Sequence, residues 1–349
     1  MNTQSILTYI SNTPHLLAHF QSHSLHVNEI GDGNLNYIFR ISDEANNSFI
    51  LKYAPPFLRL LGEDFKLPQN RICVEMHTMS YFERIAPSLT PKIFHCDEAH
   101  FCFVMEDLRG YELLQTIALS KEHPLTIYET LGNFLASLYQ QKPSAREEGY
   151  YENATLKAIS RDYIFRFPHT PKHEALVVPS FFQPSSKSEL FLQNIAWLTT
   201  LFEEDKSCLL HGDLHTGSIM VKGDAVKIID AEFSFFGPIG FDIGVLLAHM
   251  LFNEIYTAIA YNSVCYPLRI RALFKGFDVL HADILAQSVG FCGAELFRRL
   301  VVPAKAKPLE ALANPNDKTK AYAQTEALAI DLGWKPTKGL FSLCVLKAA

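Results

Sequence analysis

The sequence lacks a Cys-x-x-Cys pair, an excess of positive charge and an uninterrupted apolar run. Its seven cysteines, at 73, 96, 102, 208, 265, 292 and 344, are odd in number. That excludes a fully paired disulfide framework and fits free or buried thiols in a reducing compartment. The formal net charge of -6 offers no basic face to a polyanion, so nucleic acid is not an expected partner. The longest apolar stretch, 233–252, is broken by Gly237, Pro238, Gly240, Asp242 and Gly244, and no membrane span is expected. The opening Met-Asn-Thr-Gln-Ser has no basic region followed by an apolar one, so no signal peptide is expected. There is no internal repeat. These absences together predict a soluble cytoplasmic protein.

What is present is enough apolar material for a large core: 48% hydrophobic residues in 349, a length that suits two lobes. Ile6, Ile10, Leu16, Leu17 and Phe20 predict one or two short helices broken near Pro14. Strands are predicted at 25–30, 37–42, 48–53, 92–96 and 101–105, with a glycine-rich turn at 31–36 and a hairpin loop at 43–47. A helix at 69–85 carries Ile72, Met76, Met79 and Phe82 on one stripe. Helical patterns then dominate, at 125–140, 187–204, 241–256, 284–301 and 317–332, and only 218–222 and 225–229 read as strand. The stretch 141–188 reads as an irregular insertion. The expected fold class is α+β and bilobal, protein-kinase-like. It has a small β-rich N-terminal lobe (1–107) for nucleotide and a larger α-rich C-terminal lobe (108–349) for catalysis and substrate. ATP is expected in the cleft between them.

Phosphoryl transfer needs a loop over the phosphates, a cation on them, metal ligands and a partner for the attacking hydroxyl. Gly31 and Gly33, in Gly31-Asp-Gly-Asn-Leu-Asn36, permit close backbone approach, so amides can face a phosphate, although such a segment also makes an ordinary turn. Lys52, in Ile50-Leu-Lys-Tyr53, is a candidate for the α- and β-phosphates, with Glu75 as its orienting ion-pair partner and Glu83 as a more distant competitor. Val104-Met-Glu-Asp-Leu108 ends an apolar strand at the lobe junction, where adenine would exchange hydrogen bonds with the backbone around Glu106, Asp107 and Leu108.

Two motifs carry more weight. In His211-Gly-Asp-Leu-His215, Asp213 is placed to accept or align a substrate hydroxyl proton, while His211 and His215 read as braces. Lys227-Ile-Ile-Asp-Ala-Glu232 reads as a strand ending in two carboxylates at i and i+2, on one side unless the chain turns there. Acidic groups at the end of an apolar strand call for a partner, and Mg²⁺ is a natural one. The seventeen-residue spacing from Asp213 to Asp230 would let both carboxylates converge on one phosphate. Asp242, opening an apolar helix, is expected to accept backbone amides of the loop bearing Asp213.

At these residues the chain resembles the methylthioribose kinase family, within the aminoglycoside-phosphotransferase and choline-kinase superfamily. The resemblance rests on Gly31-Asp-Gly-Asn-Leu-Asn-Tyr-Ile-Phe39, Leu51-Lys-Tyr-Ala-Pro-Pro56, His211-Gly-Asp-Leu-His-Thr-Gly-Ser-Ile219 and Ile229-Asp-Ala-Glu-Phe-Ser-Phe-Phe-Gly-Pro-Ile-Gly-Phe-Asp-Ile-Gly244, and runs from about 25 to 302. Ser218 stands where most of the superfamily has Asn, and Glu232 where many aminoglycoside phosphotransferases have Gly. Methylthioribose kinases combine that Ser with Asp-x-Glu, and choline kinases share the Asp-x-Glu. The resemblance implies ATP-dependent phosphorylation of 5-methylthioribose to 5-methylthioribose 1-phosphate, in methionine salvage. It implies that Asn36, Lys52 and the 106–108 strand end contact ATP. Asp230, Glu232 and Ser218 would serve Mg²⁺, Glu232 compensating for the weaker serine ligand. Asp213 would meet the sugar hydroxyl, and Arg298 and Arg299 would contact the sugar. Family members commonly dimerise, so a homodimer is implied. The chain departs from the family after the arginine pair, where Leu300-Val-Val-Pro-Ala-Lys-Ala-Lys-Pro308 replaces a Gly-Leu-Ala-His type of continuation.

Adjacent helical positions diverge by about 100°. One of Arg298 and Arg299 is therefore expected to reach the sugar hydroxyls and the other to pair with a carboxylate or a helix end. Two readings compete with the sugar kinase. One is a kinase for another small alcohol (a different sugar, an amino alcohol or an aminoglycoside), although an aminoglycoside pocket should be acidic and the arginine pair argues against it. The other is a nucleotide-binding pseudoenzyme scaffold, against which Lys52, Asp213 and Asp230 count.

Overall fold

The structure is a computed structural model that describes residues 1–22, 24–31, 35–59, 62–120, 123–141, 150–185, 188–263, 266–277 and 281–334. Gly33 therefore lies outside the described residues, as do Cys265 and Cys344. The chain divides into two compact units, Met1–Tyr111 with Lys227–Phe233, and Glu112–Val226 with Ser234–Ala349. We call them the N-lobe and the C-lobe.

The N-lobe is built on a five-stranded antiparallel sheet in the order β1-β2-β3-β5-β4. The strands are β1 (Leu25–Glu29), β2 (Tyr37–Asp43), β3 (Ser48–Tyr53), β4 (Ile93–Asp97) and β5 (Cys102–Glu106). Register follows residue type. Ile38 pairs with Lys52 and Phe39 with Leu51 across β2 and β3, while Lys52 pairs with Phe103 across β3 and β5. Strand alternation sends Phe49 and Leu51 into a cluster with Ile6 and Ile10, and Ile50 into a second cluster with Ile72, Met76 and Met79. Those two clusters cover the two faces of β3. One is closed by α1 (Thr3–Ser11), which begins on a capping box between Asn2 and Ser5. The other is closed by α3 (Arg71–Ile85); the short α2 (Pro14–Leu17) lies between in sequence. Lys52 shares the parity of Ile50, and so it points to the α3 side. The hairpin at 43–47 is held by Asp43, whose carboxylate accepts from Gln21 and Asn47 amides.

The C-lobe is mainly helical. It contains α4 (Leu114–Ile117), α5 (Thr126–Gln140), α6 (Ala154–Arg161), α7 (Glu189–Glu204), α8 (Ile239–Tyr261), α9 (Tyr266–Phe274), α10 (Ala282–Val301), α11 (Lys307–Glu310) and α12 (Pro315–Trp334). The two central helices, α8 and α10, pack closely. A Cβ on Gly244 would lie 2.7 Å from the Ser288 carbonyl oxygen, so that position admits no larger residue without backbone movement. Helix α8 is long and apolar enough to span a bilayer by length and composition, yet 72% of its most apolar stretch is buried inside the protein.

Five short strands follow the N-lobe sheet in sequence: β6 (Glu112–Leu113), β7 (Cys208–Leu209), β8 (Ile219–Lys222), β9 (Ala225–Ile228) and β10 (Phe236–Gly237). Within the stretch expected to be irregular, 141–188, the described residues are more ordered than that. They form α6, a π-helical turn at Asp162–Arg166 and a 3-10 turn at Phe167–His169. Leu156, Ile164 and Phe165 are buried, which explains why a Pro- and charge-bearing segment is ordered. The five described cysteines, 73, 96, 102, 208 and 292, form no disulfide.

Candidate active site

In the N-lobe the site is built around Lys52, which is 2% exposed. Its Nζ lies 2.6 Å from Glu75 Oε1, 2.6 Å from Asp230 Oδ1 and 3.7 Å from Glu232 Oε2. Glu75 comes from α3, one turn after Arg71. Asp230 and Glu232 come from the segment 227–233, counted with the second lobe on sequence but belonging to the first unit. The start of that segment is anchored within the N-lobe by Lys227 and Ile228. The Ile228 amide donates to the Leu89 carbonyl at 2.7 Å. Lys227 Nζ donates to the Thr90 carbonyl at 2.8 Å and to Glu106 Oε2 at 3.2 Å.

The strand expected to carry both carboxylates stops at Ile228, and the chain turns at Asp230, whose φ is +63°. Strand alternation therefore does not place the pair; a left-handed residue does. Asp230 remains exposed enough to meet a ligand, at 41%, while Glu232 is buried. Asn36, also buried, donates from Nδ2 to Glu232 Oε1 at 3.3 Å and accepts from Arg71 Nε at 3.0 Å.

The cluster is short of positive charge. Three carboxylates face Lys52 and Arg71, so one negative charge is left over when all are ionised. Burial pushes Glu75 up to about 8, against the pull of Lys52 and helped by repulsion from Glu232 and Asp230. Glu232 is raised for the same reasons, burial first. The charges of Asp230, Glu232 and Glu75 hold Lys52 well above its ordinary value although burial opposes it. Burial brings Arg71 down to about 10, which still leaves it charged at neutral pH. The carboxylate oxygens of Glu75, Asp230 and Glu232 lie within 4.8 Å of one another. Hard oxygen donors with a deficit of positive charge fit a divalent cation such as Mg²⁺.

At the strand end 106–108, expected to meet adenine through its backbone, the acidic side chains are engaged within the lobe. Asp107 is taken up within the lobe: Arg40 grips it with two bonds of 2.8 and 3.0 Å, Ser48 donates at 2.7 Å and Arg109 lies at 2.9 Å. The Glu106 carboxylate accepts from the Lys92 amide as well as from Lys227, the Glu106 amide donates to the Lys92 carbonyl, and the Leu108 carbonyl accepts from Tyr111. Any contact from Asp107 to a nucleotide would therefore come from its backbone. Gly31 has a φ of +77°, the left-handed conformation expected of a glycine turn. Glu83 serves the turn after α3, accepting from the Ser88 amide and Thr90, and does not compete for Lys52.

In the C-lobe the loop after β7 is braced as expected. Asp242, at the start of α8, accepts from the His211 amide at 2.6 Å and the Gly212 amide at 3.0 Å. Burial raises Asp242 to about 7 in spite of those two donors. Gly212 adopts a φ of +84°, and the Asp213 amide donates to His211 Nδ1 at 3.3 Å. Ser218, expected to help hold a metal, is instead turned onto its own loop. Its hydroxyl accepts from the His215 amide at 3.0 Å and lies within donating distance of the His215 and Asp213 carbonyls, at 2.8 and 3.1 Å.

Asp213 belongs to a ring of polar groups. Oδ2 lies 3.5 Å from His215 Nε2, and Oδ1 lies 3.9 Å from Arg299 Nη2. His215 stacks on His249 with centroids 4.9 Å apart, and His249 Nε2 lies 3.2 Å from Glu295 Oε1. Glu295 closes the ring through Arg299 Nε at 2.7 Å and also binds Arg298 Nε. Arg298 and Arg299, expected to serve different partners, share one in this structure. Both are buried, and both grip one carboxylate three and four residues earlier on α10. Their long stems converge although their Cα directions diverge.

Burial would raise Asp213, but His215, Arg299 and Arg298 hold it well below the usual carboxylate range. Glu295 is held low by the two arginines against its burial, and burial takes His249 down to about 3. Sequence reading missed Arg71, His249 and Glu295. The spacing Glu295, Arg298, Arg299 was a usable signal, because i,i+3 and i,i+4 pairs meet on a helix.

A model of the phosphotransferase enzyme family matches residues 26–261. This chain belongs to that family. The match spans the glycine turn, Lys52, Asp213 and the 230–232 pair, and stops short of α10. Among its relatives, the methylthioribose kinase of Bacillus mycoides (strain KBAB4) is 29% identical, with 87% of this chain and 86% of that protein covered. The methylthioribose kinase of Bacillus cereus (strain AH820) is likewise 29% identical over the same shares. The choline kinase of Cryptosporidium parvum Iowa II has a TM-score of 0.55 at 14% identity, covering 97% of this chain and 100% of that one. A choline/ethanolamine kinase family protein from Mesorhizobium loti has a TM-score of 0.53 at 14% identity, covering 99% of each. Those two structures agree with the bilobal kinase-like fold. Membership makes the chain a phosphotransferase, a small-molecule kinase.

Proposed function

We propose that this kinase transfers the γ-phosphoryl group of ATP to a hydroxyl of 5-methylthioribose, giving 5-methylthioribose 1-phosphate in methionine salvage. The observation that carries the chemistry is Asp213, an anion kept ionised by His215 and two arginines on a loop fixed by Asp242. The substrate is supported by the relatives named methylthioribose kinase, which match along most of both chains.

In this reading Lys52 places its ammonium on phosphate oxygens, Glu75 orients it, and the backbone near Gly31 and Gly33, Asn36 and the 106–108 strand end receive the rest of the nucleotide. Asp230 and Glu232 would hold Mg²⁺, which when bound neutralises charge on the β- and γ-phosphates. Asp213 accepts a hydrogen bond from the substrate hydroxyl and aims its oxygen at phosphorus. A carboxylate held so low is a weak base, so its work is alignment and the proton leaves late. Arg298 and Arg299 offer guanidinium forks to neighbouring sugar hydroxyls and to charge on the transferring group. The same reading takes the protein to be cytoplasmic and homodimeric, with a small-molecule partner and neither nucleic acid nor membrane.

The test is ADP release with a panel containing 5-methylthioribose, other sugars, choline and an aminoglycoside. Turnover confined to 5-methylthioribose is expected. Preference for choline or an aminoglycoside would replace the substrate, and ATP binding without turnover on any acceptor would favour the scaffold.

A further inference from the structure

Arg71 opens α3 and is 1% exposed. A guanidinium carries five N–H groups, and this one places all of them. Nε donates to Asn36 Oδ1 at 3.0 Å. Nη1 donates to the Pro68 carbonyl at 2.6 Å and the Leu67 carbonyl at 3.4 Å. Nη2 donates to the Leu35 carbonyl at 3.1 Å and the Pro55 carbonyl at 2.9 Å. The acceptors come from three segments: the end of the glycine turn, the exit of β3 and the approach to α3. All three are irregular, so their carbonyls lack the partners a strand or helix would supply, and one planar fork gathers them.

The contact with Asn36 reaches further. Asn36 uses its oxygen for Arg71 and its Nδ2 for Glu232 Oε1, at 3.3 Å, while Glu232 Oε2 faces Lys52 Nζ at 3.7 Å. An amide side chain held at its oxygen has its nitrogen direction fixed as well. Without Arg71, Asn36 could rotate, and Glu232 would lose the bond that decides which oxygen faces the cluster.

We propose that Arg71 is a positioning residue for the metal-dependent part of nucleotide binding, acting through Asn36 on the orientation of the Glu232 carboxylate. The inference rests on the reading of Glu232 as a metal residue, and it adds the device that aims it. A simple brace of the fold would give a different signature, because it would affect ATP binding with and without metal alike.

The experiment is titration calorimetry of ATP into the full-length protein, with Mg²⁺ and with EDTA, no acceptor being present. In the wild type, Mg²⁺ should tighten ATP binding. Arg71→Lys keeps the charge but cannot span the three segments. It should cut that tightening by about tenfold, the scale of a hydrogen bond to a charged group, while metal-free ATP affinity stays within about threefold. Asn36→Ala, which leaves the four carbonyl bonds of Arg71 in place, should lose the same Mg²⁺ effect, and the double variant should be no worse than the weaker single by more than about twofold. Full Mg²⁺ tightening in Arg71→Lys, or an equal loss with and without Mg²⁺, overturns the proposal. If Arg71→Lys gives no cooperative melting transition, Asn36→Ala decides alone, and its retaining the full Mg²⁺ effect overturns the proposal. A wild type that binds no ATP in Mg²⁺ defeats the nucleotide reading itself, and this inference with it.

Discussion

The two lobes each carry a buried network of carboxylates and cations, and the networks are poised in opposite ways. Around Lys52 the N-lobe gathers three carboxylates against two cations, and Glu75 and Glu232 are pushed toward their neutral forms. Around Asp213 the C-lobe sets two carboxylates, Asp213 and Glu295, against two arginines, and both carboxylates are pushed toward their charged forms. Burial raises Glu75, Glu232, Asp213 and Glu295 alike; the balance of nearby charges decides the sign. The first network lacks a cation that a ligand can bring. The second is already balanced and holds its anion ready for a neutral hydroxyl.

The largest expected effect breaks the C-lobe side of this contrast. Asp213→Asn keeps the shape of the loop but removes the anion that orients the hydroxyl. Turnover should fall by about 10²–10⁴-fold with ATP binding nearly unchanged. The melting temperature should drop, because His215 and the arginines lose the carboxylate charge they stabilise. Steady-state kinetics beside nucleotide titration checks it, and a near-normal kcat would take Asp213 out of the mechanism.

The next effect tests the N-lobe deficit. Asp230→Ala and Glu232→Ala each remove a hard oxygen ligand, and each should raise the Mg²⁺ concentration for half-maximal rate by about tenfold or more. Asp213→Asn should leave that midpoint in place. A Glu232→Ala variant with an unaltered Mg²⁺ titration would mean that Asn36 and Lys52 hold this carboxylate for structure alone.

Glu295 tests whether the arginine pair works as one unit. Glu295→Gln keeps the volume and removes the charge both guanidiniums share. Leaving buried charges without their partner costs about 3–5 kcal/mol of stability. The sugar KM should rise by at least about tenfold with the ATP KM little changed. Arg298→Ala and Arg299→Ala should each raise the sugar KM. If only one does, the original division of labour returns, with the silent arginine serving only Glu295.

The contrast also marks what the sequence could and could not disclose. Strands such as Ser48–Tyr53 and helices such as Thr126–Gln140 follow from local periodicity, and their positions were legible to within a few residues. The support of His211 and Gly212 by Asp242 was legible too, since a carboxylate opening an apolar helix must find donors nearby. The turn at Asp230 was not, because a positive φ at a non-glycine residue leaves no mark in composition. Nor was the membership of 227–233 in the N-lobe, which depends on bonds from Ile228 and Lys227 to residues far away in sequence. Arg71 was hidden for a related reason. Its acceptors are mostly backbone carbonyls, and any sequence supplies those.

The smallest expected effect concerns pH and separates bracing from chemistry. Asp242 has a folded-state value raised to about 7 from an ordinary 3.8, with burial as the leading cause. The folded protein therefore holds this proton more tightly than the unfolded chain. The resulting stability is fully present below about pH 3.8 and is lost as pH rises through about 7. Two backbone amides donate to the carboxylate and favour its charged form, so the loss is gradual and the loop survives it. Asp242→Asn cannot titrate. It should melt at a lower temperature throughout, since one amide loses its acceptor, and its melting temperature should change less than that of the wild type between pH 4 and pH 7. Melting curves across that range decide the matter. Parallel slopes for the two proteins would mean that Asp242 stays ionised over the whole interval, held there by the amides of His211 and Gly212.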